Sequence, residues 1–178
     1  QAGDQLPCAE SADQPANQRL AQAQRPNPST DNSAHCRVIL GYQHQAFSSV
    51  QKQLFFSSTY QVTDSSDRMG YRLNGPAIKP AVDGILSEGI CLGAIQVPAD
   101  GQPIVLLADR QTIGGYPKIG SVLSLDLGKL AQVTPGGTVS FETISIEQAH
   151  NLLLLHQRQL DCTELEFVTA EASDNDQS

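Results

Sequence analysis

Asp109, Arg110, Gln111 and Thr112 place an acid, a base, an amide and a hydroxyl on four consecutive residues. They directly follow the longest unbroken apolar run of the chain, Ile104 to Ala108, and precede a glycine pair, Gly114-Gly115, and Tyr116-Pro117. A buried strand that hands such a set into a Gly-Gly turn is one way to build a polar site. Both glycines can take positive φ and let a ligand approach the backbone closely, while Pro117 stiffens the exit. Asp109 could orient a guanidinium or take a proton, and the amides of Gly114 and Gly115 could stabilise an oxyanion. Arg68 and Arg110 offer rigid forks that match carboxylate or carboxyphosphate oxygens. Asp109 and Arg110 are therefore the candidate catalytic pair, with Arg68, Gln96, Gln111, Thr112, Gly114, Gly115 and Tyr116 as candidate substrate-binding residues. Plainer readings stand beside these. Asp109 and Arg110 could pair only with each other or with caps, Arg68 could tie down its own turn through Asp67, Gln96 could satisfy buried backbone groups, and Tyr116 could be a packing ring. The chain has no Gly-x-Ser-x-Gly elbow, no His-Glu-x-x-His and no Gly-x-x-x-x-Gly-Lys loop.

Ser66-Asp67-Arg68-Met69-Gly70-Tyr71-Arg72-Leu73, Gly93-Ala94-Ile95-Gln96-Val97-Pro98, Asp109-Arg110-Gln111-Thr112 and Gly114-Gly115-Tyr116-Pro117 occur in that order. Together they resemble the signature of the biotin-dependent carboxyltransferase family, which includes the C subunit of 5-oxoprolinase, also called allophanate hydrolase subunit 2. The resemblance runs over roughly residues 36 to 150, the C-terminal half of the family's usual length, with Gln1 to Leu6 resembling the end of the segment before it. Ile113 departs from the pattern, standing where the family usually has a second threonine. The resemblance implies a cyclophilin-like β-barrel. It also implies a cytoplasmic subunit of an ATP-dependent complex that opens 5-oxoproline to glutamate, related to the carboxyltransferase domain of urea carboxylase. ATP would act at the level of the complex, and biotin only if it were carried on another domain or protein. A homologous B-type subunit of 5-oxoprolinase and an N-terminal half are the implied partners. The alternative is a non-catalytic regulatory module that antagonises a kinase-inhibitor partner.

Composition restricts the choices further. The 178 residues carry a net charge of −8, of which the six acids among residues 161–178 supply most. No basic stripe is left for a polyanion, which argues against nucleic acid. No run of 18 apolar residues is present, so no membrane span is expected. Cys8, Cys36, Cys91 and Cys162 are far apart and form no metal-ligand spacing, so free thiols in a reducing cytosol are expected.

Residues 1–35, rich in Gln, Pro, Asn and Ser, read as a linker or loop, with a short helix near Arg19 to Gln24 as the alternative. Residues 36–160 read as one mainly β domain with two or three short helices, and 161–178 as an acidic tail. Strands are expected at Arg37–Leu40, at Phe56 to Val62, at Met69–Leu73, within Leu86 to Val97, at Ile104–Ala108, around Ile119 to Leu125, and from Val139. Phe47, Val50 and Leu54 predict the buried face of a helix. Asp100-Gly101 predicts a hairpin turn. Ile144 and Ile146 fall on the opposite parity to Val139 and Phe141, which predicts a bulge near Thr143. Ser145 and Gln148 predict a capping box opening a helix that carries Leu152 to Leu155. Leucines of that run left exposed would mark a contact surface.

Overall fold

The computed structural model describes residues 18–20, 31–82, 84–163 and 165–167. Residues 28–156 form one compact unit whose centre is a closed seven-stranded barrel. Its strands are β2 (Ser33–Leu40), β3 (Thr59–Val62), β4 (Gly70–Asn74), β6 (Ala94–Gln96), β7 (Ile104–Leu106), β9 (Lys118–Val122) and β10 (Thr138–Ile144). Around the barrel the order is β10-β2-β9-β6-β7-β4-β3, and β3 closes back on β10. Only the β10–β2 pair is parallel. Closure leaves no free sheet edge, so every barrel strand finds a ladder partner on each side. Two short strands, β5 (Glu88–Gly89) and β8 (Ile113–Gly114), pair with each other outside the barrel.

Alternation decides what faces the barrel interior. Tyr60 and Val62 of β3, Leu73 of β4, Ile95 of β6, Val105 of β7 and Val139 and Phe141 of β10 are all buried in one cluster. The helix α1 (Ser49–Ser57) is capped by Ser48, whose Oγ accepts the Gln51 amide at 3.3 Å. It delivers Phe55 to this cluster, stacked on Phe141 with ring centroids 4.7 Å apart. Burial of such a ring contributes about 1.5–3 kcal/mol. The buried face of this helix differs from the expected one: Phe55 is buried and Leu54 packs against the core, while Val50 is 70% exposed and Phe47, though buried, lies before the helix. Phe56 belongs to this helix, so its strand is only Thr59–Val62.

A second helix, α2 (Ser124–Leu130), includes Leu125, whose alternation with Leu123 predicts a strand instead. The helix is clamped to β2 by a buried ion pair. Arg37 Nε donates to Asp126 Oδ2 at 2.8 Å, its second nitrogen to Oδ1 at 2.7 Å, and its backbone N–H to Oδ2 at 3.0 Å. Burial alone would raise the Asp126 pKa, but the hydrogen bonds from Arg37 outweigh it and hold the carboxyl below its usual range. The neighbouring Cys36 thiol is pushed up to about 12, by burial first and by Asp126 second.

Three expectations about the ends of the domain change. The barrel begins at Ser33, inside the polar stretch 1–35 that composition assigns to a linker. β10 runs in unbroken register against β2 from Thr138 to Ile144, so Thr143 makes no bulge. Ile146 sits on the other parity because it already starts the helix α3 (Ile146–Asp161). Its capping box is formed on both sides: Gln148 N–H donates to Ser145 Oγ at 3.2 Å, and Ser145 N–H donates to Gln148 Oε1 at 2.8 Å. The second compact unit comprises 1–27 and 157–178. In it β1 (Gln18–Leu20) pairs antiparallel with β11 (Leu165–Phe167), where composition predicts only a linker and an acidic tail. The rest of those two segments lies outside the described residues, apart from the end of α3 with Cys162 and Thr163. Among the described residues no helix is long and apolar enough to cross a membrane.

Candidate substrate cleft on the barrel wall

The cleft lies on the outer face of the wall, not on a rim where strands end. Residues that alternate with the core point outward here: Gly70 and Arg72 on β4, Ile104 and Leu106 on β7, Ala94 and Gln96 on β6. Ladder register sets them in rows. Arg72 stands opposite Ile104, Ile104 opposite Gln96, and Gln96 opposite Lys118. The last pairing follows a register shift at Ile95/Gln96, a bulge that re-aims the β9 side chain onto this row. Ile90, Ala94 and Leu106, with Ile104 packed against them, make a small apolar cluster separate from the barrel core.

Two segments cover this outer face. Leu86 to Gly93 contributes Ile90, and Asp109 to Pro117 contributes Gln111 and Tyr116. Between wall and cover lies a cleft of about 430 Å³, within the usual size of small-molecule pockets. Asp67, Met69, Asp100 and Pro98 complete its lining. Gln96 is 6% exposed, and its Nε2 has no hydrogen-bond partner among the described residues. Such a buried donor costs about 1–3 kcal/mol until an acceptor reaches it.

The candidate residues fall into three groups. Gln96, Gln111 and Tyr116 line the cleft. Arg68 and Asp109 sit at its edge and hold each other, Arg68 Nε at 2.8 Å from Asp109 Oδ2 and its second nitrogen at 3.2 Å from Oδ1. Neither lines the cleft, although Asp67 and Met69 on either side of Arg68 do. The third group holds the cover in place. Arg110 donates to the carbonyls of Ile90 (3.2 Å) and Leu107 (3.3 Å), and the Ile90 N–H donates to the Thr112 carbonyl at 3.0 Å. A positive φ at Gly114 and Gly115 does not occur; Gly93, Gly101 and Gly136 are the glycines with that conformation among the described residues. Gly101 serves the predicted Asp-Gly turn, although the connection from β6 to β7 is longer than a two-residue hairpin. Gly114 is required for a different reason. A Cβ there would lie 2.6 Å from Ile90 Cδ1 and 2.8 Å from Gln96 Nε2, so the absent side chain makes room for the Gln96 amide.

Sequence reasoning passes over three participants, Arg72, Lys118 and Glu88. Arg72 lines the cleft, and the alternation of Tyr71 and Leu73 is the signal that sends it outward. Lys118 is 8% exposed and forms an ion pair with Glu88, which also accepts Tyr42 Oη–H and, at 2.8 Å, Gln43 Nε2–H. This cluster fastens β5, and with it the cover, to β9. The Lys118 ammonium first, and the Tyr42 hydroxyl next, hold the Glu88 carboxyl below its usual range.

The model of the family described as "Carboxyltransferase domain, subdomain A and B" matches residues 1–143. The chain belongs to that family. It is 39% identical over 166 residues to the C subunit of 5-oxoprolinase from Haemophilus influenzae, covering 90% of this chain and 50% of that protein. To the C subunit of 5-oxoprolinase from Escherichia coli it is 40% identical over 114 residues, covering 64% of this chain and 37% of that protein. This carboxyltransferase-type chain thus spans half or less of the length of these curated relatives. Its fold is similar to the crystal structure of the K. lactis urea amidolyase, with a TM-score of 0.72 and 26% identity over 80% of this chain and 9% of that one. The carboxyltransferase-type barrel is therefore found in a protein named for one role within 5-oxoprolinase, and also within a much larger single chain.

Proposed function

We propose that this chain supplies the amide-binding cleft of an ATP-dependent 5-oxoprolinase-type complex. In that complex 5-oxoproline would be opened to glutamate by net addition of water across the lactam C–N bond. The observation that carries the reading is Gln96, a buried amide with an unmatched donor in the wall of a cleft sized for a small molecule. A lactam or ureido carbonyl supplies the acceptor that the protein does not. Rotation of the amide about its last bond exchanges Oε1 and Nε2, so Gln96 can also meet the N–H of the same planar group. The similarity to two proteins named for the C subunit of 5-oxoprolinase favours the lactam, and the similarity to urea amidolyase favours the same chemistry on a ureido group.

ATP fits poorly against these residues. The charged groups lining the cleft are Asp67, Arg72 and Asp100, two carboxylates against one guanidinium, which is the wrong balance for a triphosphate. Its site would belong to a partner in the complex, a B-type subunit or the family's N-terminal half, and biotin would enter only if carried by another domain or subunit. Free thiols at Cys36 and Cys91 fit a cytoplasmic setting.

The test is reconstitution with the cognate subunits and measurement of ATP-dependent glutamate release from 5-oxoproline. Turnover is expected, and Gln96→Leu should lower kcat/KM at least about tenfold, the equivalent of one lost hydrogen bond. The fold should survive, because that substitution removes an unsatisfied donor. An assembled complex that turns over urea alone would overturn the 5-oxoproline assignment. Assembly without any turnover would favour the regulatory module instead.

A further inference from the structure

Arg72 is held by its backbone and free at its tip. Its N–H donates to Ser66 Oγ at 3.0 Å, and its carbonyl accepts from Ser66 Oγ at 3.2 Å and from the Thr63 amide at 3.0 Å. The guanidinium makes no hydrogen bond or ion pair among the described residues, although it lines a cleft that also contains Asp67 and Asp100. Both carboxylates already serve their turns. Asp67 Oδ1 accepts the amides of Met69 and Gly70 at 2.8 and 3.2 Å, and Asp100 Oδ1 accepts the amide of Gln102 at 3.0 Å. Arg72 is therefore an uncommitted cation on a fixed stretch of backbone. It shares a cross-strand row with Ile104 and Gln96, so its Cα stands about 10 Å from that of Gln96, two strand spacings away.

We infer that Arg72 selects substrates carrying a carboxylate beside the amide, gripping that carboxylate while the ring lies over Ile104 and the amide meets Gln96. The inference rests on the amide-binding reading of the cleft and adds a charge requirement to it. An Arg fork matches two carboxylate oxygens in a plane, which a solvated lysine does less well. A plain lactam or urea lacks the anion and forfeits this contact. The flanking carboxylates sharpen the selection, because a second negative charge on the ligand would meet them without a cation to offset it.

Binding, not turnover, tests this independently of the complex. Calorimetry or NMR titration of the full chain with 5-oxoproline and with 2-pyrrolidinone, the same lactam without the carboxylate, reads the charge requirement directly. The expected result is roughly 10- to 100-fold tighter binding of 5-oxoproline, the size of one charge-assisted hydrogen bond. Arg72→Gln should bring the two ligands level, and Arg72→Lys should restore part of the difference. Equal affinities in the native chain, no binding of either lactam, or unchanged discrimination in Arg72→Gln would each overturn the inference. Failure of the reconstituted complex to release glutamate, with lactam discrimination intact, would instead count against the 5-oxoprolinase reading alone.

Discussion

Two arginine–aspartate forks of nearly the same geometry sit in opposite surroundings. Arg37 and Asp126 join β2 to α2, with Asp126 fully buried; Arg68 and Asp109 join two loops at the cleft edge, with side chains 82% and 51% exposed. Each is a two-pronged contact at hydrogen-bond distance. What separates them is water. The buried carboxylate has lost its hydration and depends chiefly on Arg37 for replacement bonds, whereas the exposed pair exchanges one hydrated state for another. Geometry alone therefore says little about which fork the fold depends on.

The largest effect should come from breaking the buried fork. Asp126→Ala leaves the Arg37 guanidinium and backbone amide without their acceptor, and is expected to cost about 3–5 kcal/mol in denaturant unfolding. The sign of its pH dependence follows from the lowered pKa. Asp126 contributes its stabilisation fully above the ordinary carboxylate value, about 4, and loses it as the pH falls through its lower folded value. Unfolding free energy measured across that acid range should decline in the native chain. The decline should be visibly shallower in Asp126→Asn. A parallel decline in both would remove Asp126 from the account.

An intermediate effect belongs to the boundary between core and cleft. Gly114→Ala places a methyl group against Ile90 Cδ1 and Gln96 Nε2, both ends of movable side chains, so the structure gives way there instead of unfolding. The expected destabilisation is about 1–3 kcal/mol, typical of one added methyl in a filled space. Lactam binding should fall further than stability does, because Gln96 is the group displaced. Unchanged binding with lowered stability would mean that Gln96 is not the amide contact.

These contrasts also explain what is legible without coordinates. The capping box at Ser145 and Gln148 is legible because both partners lie within one turn, and the β3 alternation is legible because burial follows the pleat. Of the two covering segments, the ordered motifs mark the one from Asp109 to Pro117 but not the one that carries Ile90. What local pattern does not supply is the side of the wall. The expectation that a buried strand hands its polar set into a Gly-Gly turn misses the outward row Arg72, Ile104 and Gln96, which is created by ladder register among three strands. It also singles out Arg68, which is paired with Asp109, and passes over Arg72, four residues on, which lines the cleft. Backbone freedom is the obvious reason for Gly114 and Gly115, yet Gly114 matters through the space that its missing Cβ leaves to another residue.

The smallest effect should come from the exposed fork, and it decides between two roles for Asp109. Arg68→Ala and Asp109→Ala are each expected to change stability by about 0–1 kcal/mol. The double variant should show a coupling of similar size, weakening as salt is raised. A catalytic role for Asp109 makes a separate demand. Removal of a general acid or base ordinarily costs about 100- to 10,000-fold in rate. A carboxylate already held by Arg68, and not itself lining the cleft, is expected to lose far less, under about tenfold in kcat for Asp109→Asn. Measured in the reconstituted complex, a drop of a hundredfold or more would return Asp109 to the reacting centre. It would also require the Arg68 fork to open when substrate enters. A small drop, with KM moving more than kcat, would fit a residue that shapes the cleft from its border.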